Sequence, residues 1–218
     1  MRPSIQLIGP RPTKISELAV KAEAAGFEAA GLPSPYGFYT GIGMLAEATN
    51  EILLATSILP LFHASPYMHA SSSIMMQEVT NGRFILGVGS QTKGQIRTTV
   101  GIDPESPAKM ARDMVLAIRS LMNGEGHYEG EYYKLNTGKR LVIHATGKKP
   151  PPIYFSGVNE LMLGLSGELC DGMLAHPIFS KKDYEEVVWP LVDKGLKKAN
   201  KQRVDFKMCA LPMIWVLG

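Results

Sequence analysis

The chain has 218 residues, 45% of them hydrophobic, and a formal net charge of +3, so it can bury a substantial single core. No apolar run reaches the roughly 20 residues of a membrane span, and the N-terminal segment lacks the apolar stretch of a secretory signal. We therefore expect a cytoplasmic protein that does not cross a membrane. The lysine cluster over 194–207 has no interleaved aromatic side chains, which favours a solvated helix end over a nucleic-acid partner. Cys170 and Cys209 have no metal-ligand spacing, so we expect no metal site and no disulfide.

The N-terminal part of the chain alternates short apolar runs with helical patterns. Ile5–Ile8 predicts a first strand, and apolar residues spaced three and four apart predict a helix over Thr13–Ala25, which Gly26 would end. Phe27–Leu32 predicts the second strand. The segment 32–43 is rich in proline and glycine and predicts a loop.

The most informative stretch is Ile52–Gly89, where two apolar runs flank a helical segment. The runs Ile52–Leu59 and Arg83–Val88 predict the third and fourth strands. Two strands joined by a helix form a βαβ unit, whose strands lie parallel and are covered on both faces. Because ligands of such folds bind at the carboxyl ends of the strands, we expect function at residues 56–58 and 87–91.

The C-terminal part continues the same alternation. A helix running to Asn123 is followed by an irregular excursion, in which 128–135 alternates enough to predict a small hairpin. The remaining predicted strands and the helices between them are Ile153–Phe155, Asn159–Cys170, Gly172–Ala175, Lys181–Asn200 and Phe206–Val216.

Seven strand-helix repeats indicate an α/β fold, either a TIM (β/α)₈ barrel or a doubly wound sheet. A doubly wound dinucleotide-binding sheet predicts G-x-G-x-x-G after an early strand, whereas GVGSQTKG at 87–94 has a different spacing and follows the fourth strand. The barrel is therefore preferred. Since such barrels typically need roughly 250 residues, we expect a single domain over 1–218 that stops after strand seven, without the eighth strand and last helices.

Three segments resemble the bacterial luciferase-like flavin and deazaflavin oxidoreductases. They are TSILPLFHASPYMHASSSIMMQEVTNGRFILGVGSQ at 56–91, ARDMVLAIRSLMNGEGHYEGEYYKL at 111–135 and PPIYFSGVNELMLGLSGELCDGMLAHP at 151–177. The ordered series is more specific than any one segment. The similarity is greatest to the subgroup that uses coenzyme F420, a deazaflavin.

The resemblance implies a luciferase-like TIM barrel that holds coenzyme F420 or FMN across its mouth. In the family the ring rests on a bulge with a non-prolyl cis peptide, which matches the bond between Ser57 and Ile58; the alternative is a trans bond at the end of a buried strand. The cofactor phosphate would lie at Ser156–Asn159, where free amides favour anions, although an ordinary capped turn explains these residues too. The implied cofactor-binding residues are Thr56, Ser57, Ile58, Gly87, Gly89, Ser90, Gln91, Ser156, Gly157, Val158 and Asn159.

Candidates for proton transfer are few. His176 after strand six and His63 after strand three are the expected catalytic residues, because both follow strands at the rim where ligands bind. Loop histidines without a chemical role would fit the same pattern. His69 lies within a predicted helix and is expected to pack or to lie at the surface. Arg97 is expected either to engage an anionic ligand or to be a surface arginine.

These expectations describe a flavin- or deazaflavin-dependent oxidoreductase that transfers hydride between a reduced cofactor and an unidentified small organic substrate. FMN would permit monooxygenation with dioxygen, whereas F420 would transfer hydride without oxygen. Many family members end strand two with an Asp-His pair, where this chain has Ser34-Pro35, so the substrate cannot be carried over. Two alternatives stay open: a non-catalytic flavin-binding protein, and an incomplete piece of a longer oxidoreductase. The resemblance also suggests a homodimer through the helices that flank strands two to four.

Overall fold

The computed structural model describes residues 3–8, 11–34, 37–138 and 149–210. Contacts within the chain define two compact units, Met1–Pro152 and Ile153–Gly218. The single domain expected over 1–218 stays a prediction. Within the described ranges, no helix combines the length and the apolar character that crossing a membrane requires.

The first unit is built on parallel strands. They are β1 (Ser4–Gln6), β2 (Ala29–Leu32), β3 (Leu53–Thr56), β4 (Leu59–Pro60) and β5 (Phe84–Gly89). Their order is β1-β2-β3-β5, and β4 also pairs with β5. The single strand predicted over Ile52–Leu59 is therefore wrong in one respect. The run divides into β3 and β4, and Ser57 and Ile58 lie between the two strands.

Five α-helices lie within the described residues of the first unit. They are α1 (Pro12–Ala24), α2 (Phe38–Ala48), α3 (Pro66–Val79), α4 (Lys93–Thr99) and α5 (Pro107–Met122). The loop predicted over 32–43 is wrong in its second half, because Phe38 already begins α2. Gly41 is buried inside this helix, so packing overrides the low helix propensity of glycine. The short α4, which Thr92 opens with a capping box, was not predicted.

The hairpin predicted within 128–135 is confirmed as β6 (His127–Glu129) and β7 (Lys134–Asn136), which pair antiparallel. A buried carboxylate on α5 anchors it: Asp113 Oδ2 accepts hydrogen bonds from the backbone amides of Tyr132 at 2.6 Å and Tyr133 at 3.0 Å. A Cβ at Gly130 would lie 1.9 Å from Asp113 Oδ1. Only glycine therefore lets the hairpin approach the carboxylate this closely.

The described residues of the second unit form three parallel strands in the order β8-β9-β10. Its elements are β8 (Ile153–Ser156), α6 (Glu160–Leu169), β9 (Gly172–Leu174), α7 (Lys181–Asp183), a π-helical turn (Tyr184–Val188), α8 (Trp189–Lys198) and β10 (Lys207–Cys209). The π-turn comes just before Pro190, which has no N–H to donate. Of the strand predicted over Phe206–Val216, residues 207–209 are confirmed and 211–216 lie outside the described residues.

Backbone contact between α6 and α8 organises the second unit. A Cβ on Gly167 would lie 2.1 Å from the Val192 carbonyl oxygen, and one on Gly195 would lie 2.1 Å from the Gly164 carbonyl oxygen. Glycine at these positions lets the two helices touch through their backbones. The core that forms around this contact consists of Leu163, Met173, Ala175, Val188, Val192, Leu196 and Phe206.

Candidate functional site

The candidate site of the first unit is centred on the kink after β3. The peptide bond between Ser57 and Ile58 is cis, as the resemblance implies. The Ser57 amide still donates to the Leu32 carbonyl of β2 at 2.8 Å. The Ser57 carbonyl oxygen accepts a hydrogen bond from Gln6 Nε2 at 2.7 Å, and the Ser57 hydroxyl lies 3.3 Å from the same nitrogen. Ser57 is thus held by Leu32 of β2 and by Gln6 of β1.

Gly31 provides the space for the Ser57 side chain. A Cβ at Gly31 would lie 2.8 Å from Ser57 Cβ and 3.2 Å from Ser57 Oγ. Gly31 pairs with Gln6 in the β1–β2 ladder, so the residues that hold Ser57 lie side by side. Neither was predicted as a site residue. The available signal was weak: Gln6 is a polar residue inside the first predicted strand, and Gly31 is a glycine inside the second.

Thr56 uses its hydroxyl inside the sheet. Its Oγ1 donates to the Gly87 carbonyl at 2.8 Å and accepts from the Gly87 amide at 2.9 Å. Gly89 is likewise buried and pairs with Pro60 of β4. The two glycines therefore take part in the sheet through their backbones. A direct contact of Thr56, Gly87 or Gly89 with a cofactor stays a prediction.

Ser90 and Gln91 follow β5 directly. The Ser90 hydroxyl donates to the Gln91 carbonyl at 3.1 Å. The Gln91 backbone has φ 63°, a left-handed conformation that is uncommon for residues other than glycine. Gln91 Oε1 is buried and has no hydrogen-bond partner among the residues that the structure describes. The end of β5 thus presents an unpaired acceptor.

The two histidines near this end of the first unit have different environments. His63 is exposed, and its ring centroid lies 6.2 Å from that of Phe38. His69 is fully buried; its Nε2 donates to the Leu61 carbonyl at 2.9 Å and its Nδ1 accepts from Tyr39 Oη at 3.0 Å. A carbonyl can only accept, so Nε2 carries the proton. Burial lowers the pKa of His69 to about 4, against the raising effect of the Leu61 bond. Its expected packing role is confirmed.

The second unit has its own candidate site, at the turn from β8 into α6. Asn159 is the N-cap residue, and its Oδ1 accepts from the Met162 amide at 3.0 Å. A Cβ at Gly157 would lie 2.4 Å from Met162 Cβ, so the turn needs glycine. Val158 is exposed and Ser156 is half-buried. Asn159 therefore caps the helix as in an ordinary turn, and phosphate binding by its neighbours stays a prediction.

His176 follows β9 and is exposed. Its Nδ1 accepts from the Ile178 amide at 3.2 Å, so the neutral ring carries its proton on Nε2 and can donate it. β8 and β9 are adjacent and parallel, so His176 and the Ser156–Asn159 turn lie at the same edge of the sheet, beyond the carboxyl ends of the strands. Arg97, in contrast, forms an exposed ion pair with Asp103 at 2.8 Å, as a surface arginine does.

Within the described ranges, no group of three or more His, Cys, Asp or Glu residues could hold a metal ion. Cys170 is buried and Cys209 is half-buried.

The sequence of the whole chain matches the luciferase-like monooxygenase family over residues 2–216. The chain belongs to this family.

Individual proteins are similar to this chain over most of its length. The 5,10-methylenetetrahydromethanopterin reductase of Archaeoglobus fulgidus is 35% identical over 198 residues, which are 87% of this chain and 56% of the reductase. The solved coenzyme F420-dependent tetrahydromethanopterin reductase from Methanopyrus kandleri has a TM-score of 0.82 at 25% identity, covering 96% of this chain and 65% of that one. The chain thus spans less than two thirds of either relative.

A second solved structure contains FMN. The oxygenating constituent of 3,6-diketocamphane monooxygenase from Pseudomonas putida, solved in complex with FMN, has a TM-score of 0.74 at 18% identity and covers 95% of this chain and 66% of that one. At this identity the likeness concerns the fold alone. Together these structures confirm the predicted α/β fold of the luciferase-like TIM-barrel type.

Proposed function

We propose that the chain is an oxidoreductase domain that binds coenzyme F420, or FMN as the alternative, and transfers hydride between this cofactor and a small organic substrate. The observation that carries the proposal is the 35% identity to the A. fulgidus reductase across 87% of the chain. The M. kandleri reductase with the similar structure is F420-dependent by name, which favours F420. The substrate class stays open because the chain spans 56% of the first relative.

The described residues of the first unit fit a planar heterocycle. Gly31 leaves room for Ser57, and Gln6 holds the Ser57 carbonyl, so the kink presents a fixed surface. Gln91 adds a buried acceptor that lacks a protein partner within the described ranges, and the ring edges of flavins and deazaflavins carry an N–H donor. The bound cofactor would supply the hydride chemistry, and these residues would fix where the ring lies.

The residues of the second unit could bind two groups of a ligand: an anionic group and a carbonyl that accepts a hydrogen bond. The turn at Gly157 brings backbone amides to the first turn of α6, where the helix dipole favours negative charge. His176 offers an Nε2–H donor, since Nδ1 already accepts from Ile178. We assign it the role of a donor to a substrate or ring carbonyl. His63 is the second candidate for this role.

The test is a titration of the purified chain with F420 and with FMN, followed by absorbance and fluorescence. We expect F420 to bind more tightly than FMN. The variant Gly31→Ala should weaken binding about tenfold, because its Cβ would displace Ser57. The matched control is Gly43→Ala in α2, where a Cβ would have no heavy atom within 4 Å, and its affinity should equal that of the wild type.

The outcomes separate the hypotheses. Binding of neither cofactor would contradict the proposed function and leave the fold unaffected. Binding without oxidation of the reduced cofactor by any carbonyl, imine or quinone acceptor would favour the non-catalytic flavin-binding protein instead. Equal weakening by Gly31→Ala and Gly43→Ala would show that the kink at Ser57 does not contact the ring.

A further inference from the structure

The sequence contains the pair Asn81-Gly82 and the pair Asn123-Gly124, and neither belongs to the candidate site. In an Asn-Gly pair the asparagine side chain is easily attacked by the following backbone amide, because glycine has no Cβ to block the approach. Both asparagines are exposed, so water can reach the reacting atoms. The two pairs are therefore candidate sites of spontaneous deamidation, a covalent modification that needs no enzyme.

This reaction requires the glycine nitrogen to be free. In the first pair, the Gly82 nitrogen would attack Asn81 Cγ, so that a new N–C bond forms and the side-chain nitrogen leaves as ammonia. Water then opens the cyclic imide on one side or the other and gives aspartate or isoaspartate. The attacking nitrogen must first lose its proton. A hydrogen bond donated by that N–H therefore slows deamidation, as it slows hydrogen exchange.

The fold holds the first pair in the cap that ends α3. The Gly82 amide donates to the Gln77 carbonyl at 2.7 Å. The Asn81 amide donates to the Glu78 carbonyl at 2.9 Å, and its backbone is left-handed with φ 54°. These two bonds and the left-handed residue after the helix form a Schellman motif. The nitrogen that would attack Asn81 is thus engaged in the folded chain.

The second pair lies in the cap that ends α5, in a different register. Here Gly124 is the left-handed residue, with φ 82°, and its amide donates to the Leu121 carbonyl at 3.0 Å. The amide of Glu125 donates to the Ser120 carbonyl at 3.2 Å. Asn123 keeps a helical backbone, with φ −80° and ψ −1°. Both glycine amides are therefore bound in helix caps, although the two asparagines differ in conformation.

We propose that Asn81 and Asn123 deamidate spontaneously and that each reacts only when the cap of its own helix opens. Local opening of a helix end requires less free energy than global unfolding, so the two sites respond to separate openings. Isoaspartate at Asn81 would lengthen the backbone directly before Arg83 and β5. At Asn123 it would lengthen the link from α5 to the β6–β7 hairpin. The inference does not depend on the cofactor.

Peptide mapping by mass spectrometry measures both rates in one incubation of the purified chain at mildly alkaline pH. In guanidinium chloride that unfolds the chain, Asn81 and Asn123 should deamidate at similar rates, because each precedes a glycine. In the folded chain both rates should be lower by about tenfold or more. Equal rates in the folded and the unfolded chain would overturn the inference. Absence of deamidation at both sites in the unfolded chain would overturn it as well.

Arg83→Met tests whether the cap of α3 controls the first site. Arg83 Nε donates to the Thr80 carbonyl at 2.8 Å, beyond the end of α3, so its loss loosens this cap. The deamidation rate at Asn81 should rise about tenfold, with a smaller change at Asn123. If Arg83→Met does not fold, Thr80→Val replaces it, because the Thr80 hydroxyl donates within the same cap, to the Met76 carbonyl at 2.7 Å.

Ser120→Ala is the reciprocal test on the cap of α5. The Ser120 hydroxyl lies 2.8 Å from Glu125 Oε2 and 3.0 Å from the His127 carbonyl oxygen, so it joins the end of α5 to the residues after the cap. Its removal should raise the rate at Asn123 and leave the rate at Asn81 unchanged. If Arg83→Met and Ser120→Ala each accelerate both sites equally, global unfolding controls the reaction and the inference is wrong.

Discussion

At the scale of single residues, His69 shows how a polar group is buried without penalty. Both ring nitrogens are paired, one with the Leu61 carbonyl at 2.9 Å and one with Tyr39 Oη at 3.0 Å. The ring is fully buried, so its charged form is strongly disfavoured. Leu61 begins the short helical turn that carries His63. His69 therefore holds the segment that follows the kink at Ser57.

We predict that His69 makes the stability of the chain depend on pH between about 6.5 and 4. The pKa of His69 is lowered from its ordinary 6.5 to about 4, so the unfolded chain binds a proton in this range that the folded chain does not. The stabilisation is fully present above pH 6.5 and is lost as the pH falls to about 4; it amounts to about 3 kcal/mol. Urea unfolding measured at several pH values checks this.

His69→Gln is the control for the pH effect. Its amide can keep the donor to the Leu61 carbonyl but cannot be protonated in this range. The loss of stability between pH 6.5 and 4 should therefore be smaller in His69→Gln than in the wild type. Parallel pH dependence in the two proteins would contradict the assignment to His69. A positive charge on the nearby His63 ring would lower the pKa of His69 further.

At the scale of elements, Arg83 joins the ends of two helices to β3. Its Nε donates to the Thr80 carbonyl at 2.8 Å, beyond the end of α3. Its Nη1 donates to Thr49 Oγ1 at 3.0 Å and to the Ile52 carbonyl at 2.8 Å, and its Nη2 to the carbonyls of Thr49 at 2.9 Å and Ala46 at 3.4 Å. Helix C-termini leave such carbonyls without intrahelical partners. Arg83 thus donates hydrogen bonds to carbonyl groups at the C-terminal ends of both α2 and α3.

Arg83→Met should lower the free energy of unfolding by about 3 kcal/mol, because several half-buried carbonyls lose a charged donor at once. Lysine could not replace it, since its single ammonium cannot reach the same spread of acceptors. Chemical denaturation measures the change. Arg97→Met is the control: that arginine has an exposed ion pair with Asp103, and its loss should change stability by less than about 0.5 kcal/mol. Equal effects would contradict the role of Arg83.

The sequence could predict the elements that depend on local pattern. The hairpin near Tyr128 and the helix that begins after Asn159 are found where alternation and capping placed them. The cis bond after Ser57 followed from the resemblance. Contacts between distant residues could not be predicted: Gln6 and Ser57 are 51 positions apart. The prediction of a loop up to Gly43 was wrong for the same reason. Gly41 lies in a helix because it is buried against neighbouring elements, which local sequence does not reveal.

At the scale of the whole molecule, the exposed face of the first unit bears on the association of two copies of the chain. The helices α2 and α3, which flank β2 to β4, expose large apolar side chains. On α3, Met68, Met75 and Val79 recur at spacings of seven and four, so they lie on one stripe, and α2 adds Met44. Contiguous apolar stripes of this kind typically mark protein–protein contacts. The homodimer expected from the resemblance would place two such stripes against each other.

We predict that the chain forms a homodimer through this stripe. Glu78 is the one charged residue of α3 and Glu47 that of α2, so two copies of the face would meet with little repulsion between like charges. Met75→Glu places a charge at the centre of the stripe and should give a monomer by light scattering at micromolar concentration. Val204→Glu, at a side chain 78% exposed in the second unit, should leave the dimer intact. A monomeric wild type, or a dimer that both variants preserve, would exclude α3 as the interface.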